Sequence, residues 1–137
     1  MLRGIPVSQG VSQGRVVVLN RSRIVPAKAS IETGDQAGEE ARLQTALAET
    51  RKQLTAVQER LRDEFGAKES QIFDAHLLVL EDPALMEEVG RQVRDEHHTP
   101  EYAFYTASEK YAEALSAVDD SYLSERAADI RDVTQRV

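Results

Sequence analysis

Residues 70 to 85 read Ser70-Gln-Ile-Phe-Asp-Ala-His-Leu-Leu-Val-Leu-Glu-Asp-Pro-Ala-Leu85, and the fold turns on how this stretch bends. Ile72, Phe73, His76, Leu77 and Leu80 fall at helical spacing, which predicts an amphipathic helix. Leu78 and Val79 widen its apolar surface beyond the stripe that one core contact uses. Asp82-Pro83 then opens a second helix at once. Aspartate is a favoured N-cap, and proline at the first helical position gives up only an N–H that has no helical partner there. The expected product is a kinked helix with surplus apolar surface, of the kind that meets a partner.

Outward from the kink, Asp35 to about Glu64 predicts a long helix, with Leu43, Leu47, Thr50, Leu54, Val57 and Leu61 at alternating spacings of four and three. Such a seam serves a coiled-coil dimer or packing within the chain, and the apolar stripes of the other helices favour the second. Phe65-Gly66 ends this helix, glycine being suited to a left-handed cap. Beyond the kink, Leu85, Val89 and Val93 share a face that runs to near His97-His98. Thr99-Pro100-Glu101 predicts a further helix with Thr99 as its cap and Tyr102, Tyr105, Ala112, Leu115 and Val118 as apolar positions. Asp119-Asp120 caps a last helix, where Leu123, Ala127, Ile130, Val133 and Val137 keep the pattern to the final residue, so a longer protein is expected.

At the other end, residues 2 to 7 and 15 to 19 predict short strands. Between them lies a tandem repeat, Val7-Ser-Gln-Gly10 and Val11-Ser-Gln-Gly14. It favours a hairpin loop over a phosphate cradle, because no helix follows Gly14 to supply an N-terminal dipole. Residues 20 to 34 lack periodicity and read as a connector. The fold class is therefore mainly α: an antiparallel bundle of two helical hairpins, one helix kinked at Asp82-Pro83, with a short N-terminal β-hairpin.

With 137 residues, 41% hydrophobic and 30% charged, the chain can bury a core. The net charge of -7 argues against nucleic acid, which needs a basic face, and suits a basic protein partner. There is no cysteine, hence no disulfide framework and no thiolate metal site. No run approaches a membrane span and the start lacks a signal peptide, which makes a cytoplasmic protein the expectation.

Gly4-Ile5-Pro6-Val7-Ser8, residues 70 to 85 and Tyr122-Leu-Ser-Glu-Arg-Ala-Ala-Asp-Ile-Arg-Asp132 together resemble the N-terminal region of enzyme I of the bacterial sugar phosphotransferase system. This family is the phosphoenolpyruvate-protein phosphotransferases, and the resemblance runs in order from about residue 3 to the end. Gln9 stands where members usually have proline. The resemblance implies an α/β domain that holds an active histidine, with an inserted helical domain that binds the small histidine-containing phosphocarrier HPr. Residues 1–33 would be strands and connector of an incomplete α/β domain, and 34–137 the helical HPr-binding domain, truncated in its last helix. The implied parent takes phosphoryl from phosphoenolpyruvate using magnesium, passes it through its own histidine to HPr in sugar uptake, and is a homodimer through a C-terminal domain absent here.

The family's phosphorylated histidine lies in a Gly-Gly-Arg-Thr-Ser-His-like segment that this chain lacks. The fragment is thus expected to hold no catalytic residue, metal or cofactor and to be inactive alone. Carried over position by position, Ile72, His76, Val79, Asp82 and Leu85 resemble one wall of the HPr site. Lys110, Tyr111, Ala114, Leu115, Leu123 and Arg126 resemble the other, with Arg126 near the site where the carrier histidine is presented. Members often have acidic residues after the Phe-Gly cap, where Ala67-Lys68 precedes Glu69 here.

Other chemistry is weighed against plainer roles. His76 is expected to make a contact or pack rather than accept phosphate, and His97-His98 to place favourable charge at a helix C-terminus. Glu81-Asp82 and Asp119-Asp120 sit at helix starts, where capping explains them better than a magnesium site does. Glu125 and Asp129 share one face of the last helix, and Arg126 and Ile130 another, so ionic and apolar surfaces lie side by side. Three alternatives stay open: a nitrogen-branch or fused multiphosphoryl paralogue docking a different carrier, a structural bundle or coiled-coil dimerisation module, and an autonomous phosphotransferase using His76.

Overall fold

In a computed structural model, the structure describes residues 10, 11, 13 to 15, 17, 23 to 32 and 34 to 137. The predicted strand over 2 to 7, residues 16, 18 and 19 of that over 15 to 19, and part of the repeat between them lie outside the described residues.

The long first helix, α1, spans Gln36–Phe65 and buries Leu43, Leu47, Thr50, Leu54 and Gln58. This stripe follows the predicted seam as far as Leu54 and then departs from it. Val57 and Leu61 are only half-buried while Gln58 is buried, as expected of a straight helix whose inward face drifts from a strict seven-residue repeat. Gln58 satisfies its buried amide by donating to Asp74 Oδ1 at 2.6 Å, which ties α1 to the start of the kinked pair. Gly66 ends α1 with φ 108° and ψ 174°, and its N–H donates to Arg62 O at 3.0 Å. The φ is positive as predicted, but the backbone is extended rather than left-handed helical, a geometry reserved for glycine.

A single turn, α2 (Ala67–Ser70), leads into α3 (Ile72–Leu80). The kink follows. Asp82 Oδ1 accepts from the N–H of Leu85 at 2.9 Å and Pro83 takes the first position of α4, Pro83–Arg94. α4 stops short of the histidines, and its last turn carries Arg91 and Arg94 as the basic residues that favour a helix C-terminus. His97 lies beyond it with φ 55°. Its Nδ1 sits 3.0 Å from Gln36 Nε2, past the last turn of α4. The expected charge at a helix end is therefore corrected: arginines supply it.

The second hairpin comprises α5 (Pro100–Ser116) and α6 (Ser121–Thr134). Asp120 Oδ1 caps α6 by accepting from Tyr122 and Leu123 N–H at 2.8 and 3.2 Å. Thr99 precedes Pro100 in extended geometry but its side chain makes no capping bond. Its N–H instead donates to Ala29 O at 3.1 Å, and Ile31 N–H to His97 O at 2.8 Å, so the connector is laced to the loop before α5. The last helix ends at Thr134 rather than running to Val137. Gln135 turns back to the connector: its Oε1 accepts from Ile24 N–H at 2.7 Å and its Nε2 donates to Ile24 O at 2.9 Å.

The main core joins Leu43, Leu47 and Leu54 of α1 to Leu80, Leu85, Val89, Val93, Phe104 and Val133. At about 25 cal/mol per Å² of apolar surface removed from water, such residues contribute roughly 2 kcal/mol each. A second, smaller cluster of Ala112, Ala127 and Ile130 lies between α5 and α6. The seam of α1 is thus covered by the chain's own helices, as expected of two antiparallel hairpins.

Candidate functional site: an apolar shelf beside the kink

Val79 and Tyr111 touch both clusters, and Leu115 packs on the smaller one; all three are half-buried. They form a shelf from the end of α3 across α5. Along α3, Ile72, Ala75 and Val79 recur at spacings of three and four, so they lie in one strip, with Leu78 beside it. Ile72 is 53% exposed, Leu78 60% and, at the start of α6, Tyr122 60%. Leu123 and Arg126 are half-buried on the first turns of α6. Apolar side chains of this size, left open and rimmed by charge, mark an interaction surface.

Beside the shelf an open groove of about 480 Å³ runs between α4 and α5, lined by Ala84, Glu87, Glu88, Arg91, Lys110, Tyr111 and Ala114. Hydrogen bonds from Arg91 and then Gln92 hold the Glu88 carboxyl down at about 2. It is therefore a fixed anion on the groove wall, with Lys110 as a nearby cation.

The structure brings most of the predicted positions together but separates two from the surface. Leu85 is 2% exposed and belongs to the core. The cap at Asp82 turns it inward, so its predicted role as a contact is corrected to one of supporting the shelf. His76 is 9% exposed, with Nε2 3.3 Å from Asp129 Oδ1 and its ring edge-on to Phe73 at 5.4 Å. It joins α3 to α6 and packs, so its expected place on the wall of the carrier site is corrected to one behind that surface. Asp82 is half-buried and engaged as a cap. Ile72, Val79, Lys110, Tyr111, Ala114, Leu115, Leu123 and Arg126 remain wholly or partly open.

Two residues of the surface lie outside the contact set expected from the sequence. Leu78 was seen only as excess hydrophobicity, and Tyr122 only as part of a motif, although Tyr122 and Arg126 stand four apart and meet on one helix face. Arg126 Nη2 donates to Tyr122 Oη at 2.8 Å and its guanidinium lies 5.2 Å from the ring centroid.

Among the described residues, no group of three or more His, Cys, Asp or Glu is placed to hold a metal ion. The described residues thus offer no cluster fitted to the magnesium that the resemblance implies. No helix is long and apolar enough to cross a membrane among the residues described.

Comparison with known proteins agrees across sequence and structure. A family model described as PEP-utilising enzyme, N-terminal, matches residues 3–126. The chain is 36% identical over 138 residues to the phosphoenolpyruvate-protein phosphotransferase of Enterococcus faecalis, covering 100% of this chain and 24% of the relative. It is 34% identical over 136 residues to that of Bacillus subtilis, covering 99% and 24%. It thus spans about a quarter of the length of the curated relatives it matches. Among solved structures it is similar to an Enzyme I protein determined by NMR, at a TM-score of 0.77 and 32% identity over 85% of this chain and 46% of that one. It also resembles the N-terminal domain of Enzyme 1, Nitrogen, at a TM-score of 0.71 and 34% identity over 80% and 45%. The match over nearly the whole chain shows that this chain belongs to the family of PEP-utilising enzymes, as N-terminal sequence of that family, and its helices are arranged as in the N-terminal structures of enzyme I proteins.

Proposed function

We propose that this chain is the carrier-docking part of a phosphoenolpyruvate-protein phosphotransferase, and that its partner is HPr. The observation that carries the reading is the shelf of Val79, Tyr111 and Leu115, flanked by exposed Ile72, Leu78 and Tyr122 and edged by Lys110 and Arg126. In this reading the parent takes phosphoryl from phosphoenolpyruvate with magnesium and passes it through its own histidine to HPr in sugar uptake. Residues 1–33 belong with an α/β domain and 34–137 form the helical docking domain. The parent works in the cytoplasm as a homodimer joined through other regions.

The chain alone is not the phosphoacceptor. His76 is 9% exposed and its Nε2 lies 3.3 Å from Asp129 Oδ1, which supports a packing role over that of a phosphoacceptor. After incubation with phosphoenolpyruvate and magnesium, intact-mass measurement should show no added phosphate. An acid-labile phosphate on His76 would overturn this.

Docking is tested by titrating labelled HPr from the same organism against the chain, with circular dichroism to follow folding. Transient contacts of this kind give dissociation constants on the order of micromolar. Leu115→Asp and Ile72→Asp should remove binding while the helices persist, since neither residue is fully buried. No binding by the wild-type chain at about millimolar carrier, the weak end of measurable affinity, or full binding by both Asp variants, would defeat the assignment. A nitrogen-branch parent is the second reading, supported by the 34% identity to the Enzyme 1, Nitrogen domain. Titrating the carriers of both branches side by side decides between them by affinity.

A further inference from the structure

α3 is apolar nearly all round: of its nine residues, Ile72, Phe73, Leu77, Leu78, Val79 and Leu80 are large and apolar. A helix with one apolar stripe turns that stripe inward, but a helix with two leaves the choice of face to something else. Here Phe73, Leu77 and Leu80 pack on the main core while Ile72 is 53% exposed. Each residue advances a helix by about 100°, so turning α3 by roughly one position would bury Ile72 and Val79 in place of Phe73 and Leu77. The apolar surface removed from water would be comparable, so burial alone selects neither face.

The polar side chains are not so even-handed. His76 falls between the two stripes, so its contact with Asp129 Oδ1 at 3.3 Å decides little. Asp74, the one acidic residue of α3, lies on the flank toward α1, where its Oδ1 accepts from Gln58 Nε2 at 2.6 Å. Gln58 is 8% exposed, and the other acceptor near its amide is Ser70 O, at 3.5 Å and at the same end of α3. In the turned helix Asp74 would swing away from α1, and a buried N–H that loses its acceptor is costly. Arg51 and Glu81 tie the same flank further along, but their side chains are 54% and 46% exposed, where an ion pair contributes little.

We propose that Gln58 and Asp74 are positioning residues that choose which apolar face of α3 the surface presents, and that they thereby set what the shelf binds. A buried polar pair suits this task because it singles out one arrangement among several of similar hydrophobic energy. The choice of face concerns the helix alone, whereas its use in binding rests on the docking reading.

The test begins with thiol labelling of the 137-residue chain, which has no cysteine of its own. Ile72→Cys and Leu77→Cys are each made in the native background and again with Gln58→Met, and the ratio of the two labelling rates is read with no carrier present. In the native background position 72 should label about tenfold faster than position 77, as an open site does beside a packed one. Gln58→Met replaces the amide with an apolar side chain of similar volume and leaves the exposed Asp74 in water, so the ratio should fall to about two. Asp74→Asn can still accept from Gln58 and should keep the native ratio. Without the added cysteines, Gln58→Met should bind HPr about fivefold more weakly at a nearly unchanged melting temperature, because only molecules showing the right face bind. A merely structural role would move affinity and melting together. If Gln58→Met keeps the native ratio, Gln58 does not choose the face and the proposal fails. If the ratio collapses while HPr binds as tightly as before, the face is chosen but not used, and the claim on binding fails. If the native chain binds no HPr, the docking reading fails, and the labelling ratio still decides what Gln58 does. Should Gln58→Met unfold by circular dichroism, Asp74→Ala, at an exposed site, is read in its place.

Discussion

The two hydrophobic clusters of this bundle are built on opposite plans. Where α1, α3, α4 and the first half of α5 meet, leucines, valines and Phe104 interlock around Leu54, Val89 and Val93, which are at most 1% exposed. Where α5 meets α6, the wholly buried residues are Ala112 and Ala127. Alanines let two helices approach closely and leave no room between them for bulk, so Tyr111 and Leu115 are pushed to the margin, half in water. Side-chain size thus divides one bundle into a closed interior and an open shelf. The closed part supplies stability, and the shelf supplies surface that folding has not used.

That division can be broken on either side. The largest effect is expected from Leu85→Asp, which puts a carboxylate into the closed cluster: burying an unpaired charge costs roughly 4 kcal/mol or more, and circular dichroism should show a largely unfolded chain at 25 °C. A stably folded variant would mean that Leu85 faces solvent. Next comes Leu54→Ala. The cavity it leaves should lower the unfolding free energy by about 3 kcal/mol in a urea titration with unchanged slope. Ala112→Leu overfills the small cluster and should cost about 2 kcal/mol by forcing α5 from α6; unchanged stability would show that the helices are not in close contact there. By contrast Leu115→Ala, on the shelf, should cost less than about 1 kcal/mol, because much of its surface is already wet.

The smallest effect sharpens the electrostatics of the groove. Glu88 is held at about 2 against an ordinary 4.5, so it binds its proton less readily in the folded chain. Its contribution to stability is therefore present above 4.5 and fades as pH falls from there toward about 2. In Glu88→Gln that contribution is missing at every pH. Melting temperatures of wild type and variant should differ near neutrality and converge in acid; a constant gap would place the cause elsewhere.

Most of the fold was legible because its signals are local. Asp82-Pro83, Asp120 and Gly66 mark boundaries through the chemistry of one or two residues, and the leucines of α1 announce their face by spacing alone. Depth was not legible. Periodicity gives the angle at which Leu85 leaves its helix, but whether another helix covers that angle depends on α1 and α5, which are distant in sequence. Leu85 and Leu115 therefore looked equivalent, although the first is enclosed and the second is not. The attachment of residues 29 to 31 to the loop at 97 to 99 was invisible for a different reason: backbone groups make it, and every residue has those. The Tyr122 and Arg126 pair carried a readable signal, a four-residue spacing between an aromatic and a cation, which the motif around it obscured.

The double hydrogen bond between Gln135 and Ile24 has a mechanical consequence. Because these residues sit side by side, a pull on the two flanks of the helical unit would load both bonds of that pair together. By the same token the unit from 24 to 135 is a loop already closed at its neck, so splicing it into a surface turn of an unrelated host would not require the host to spread its own ends apart.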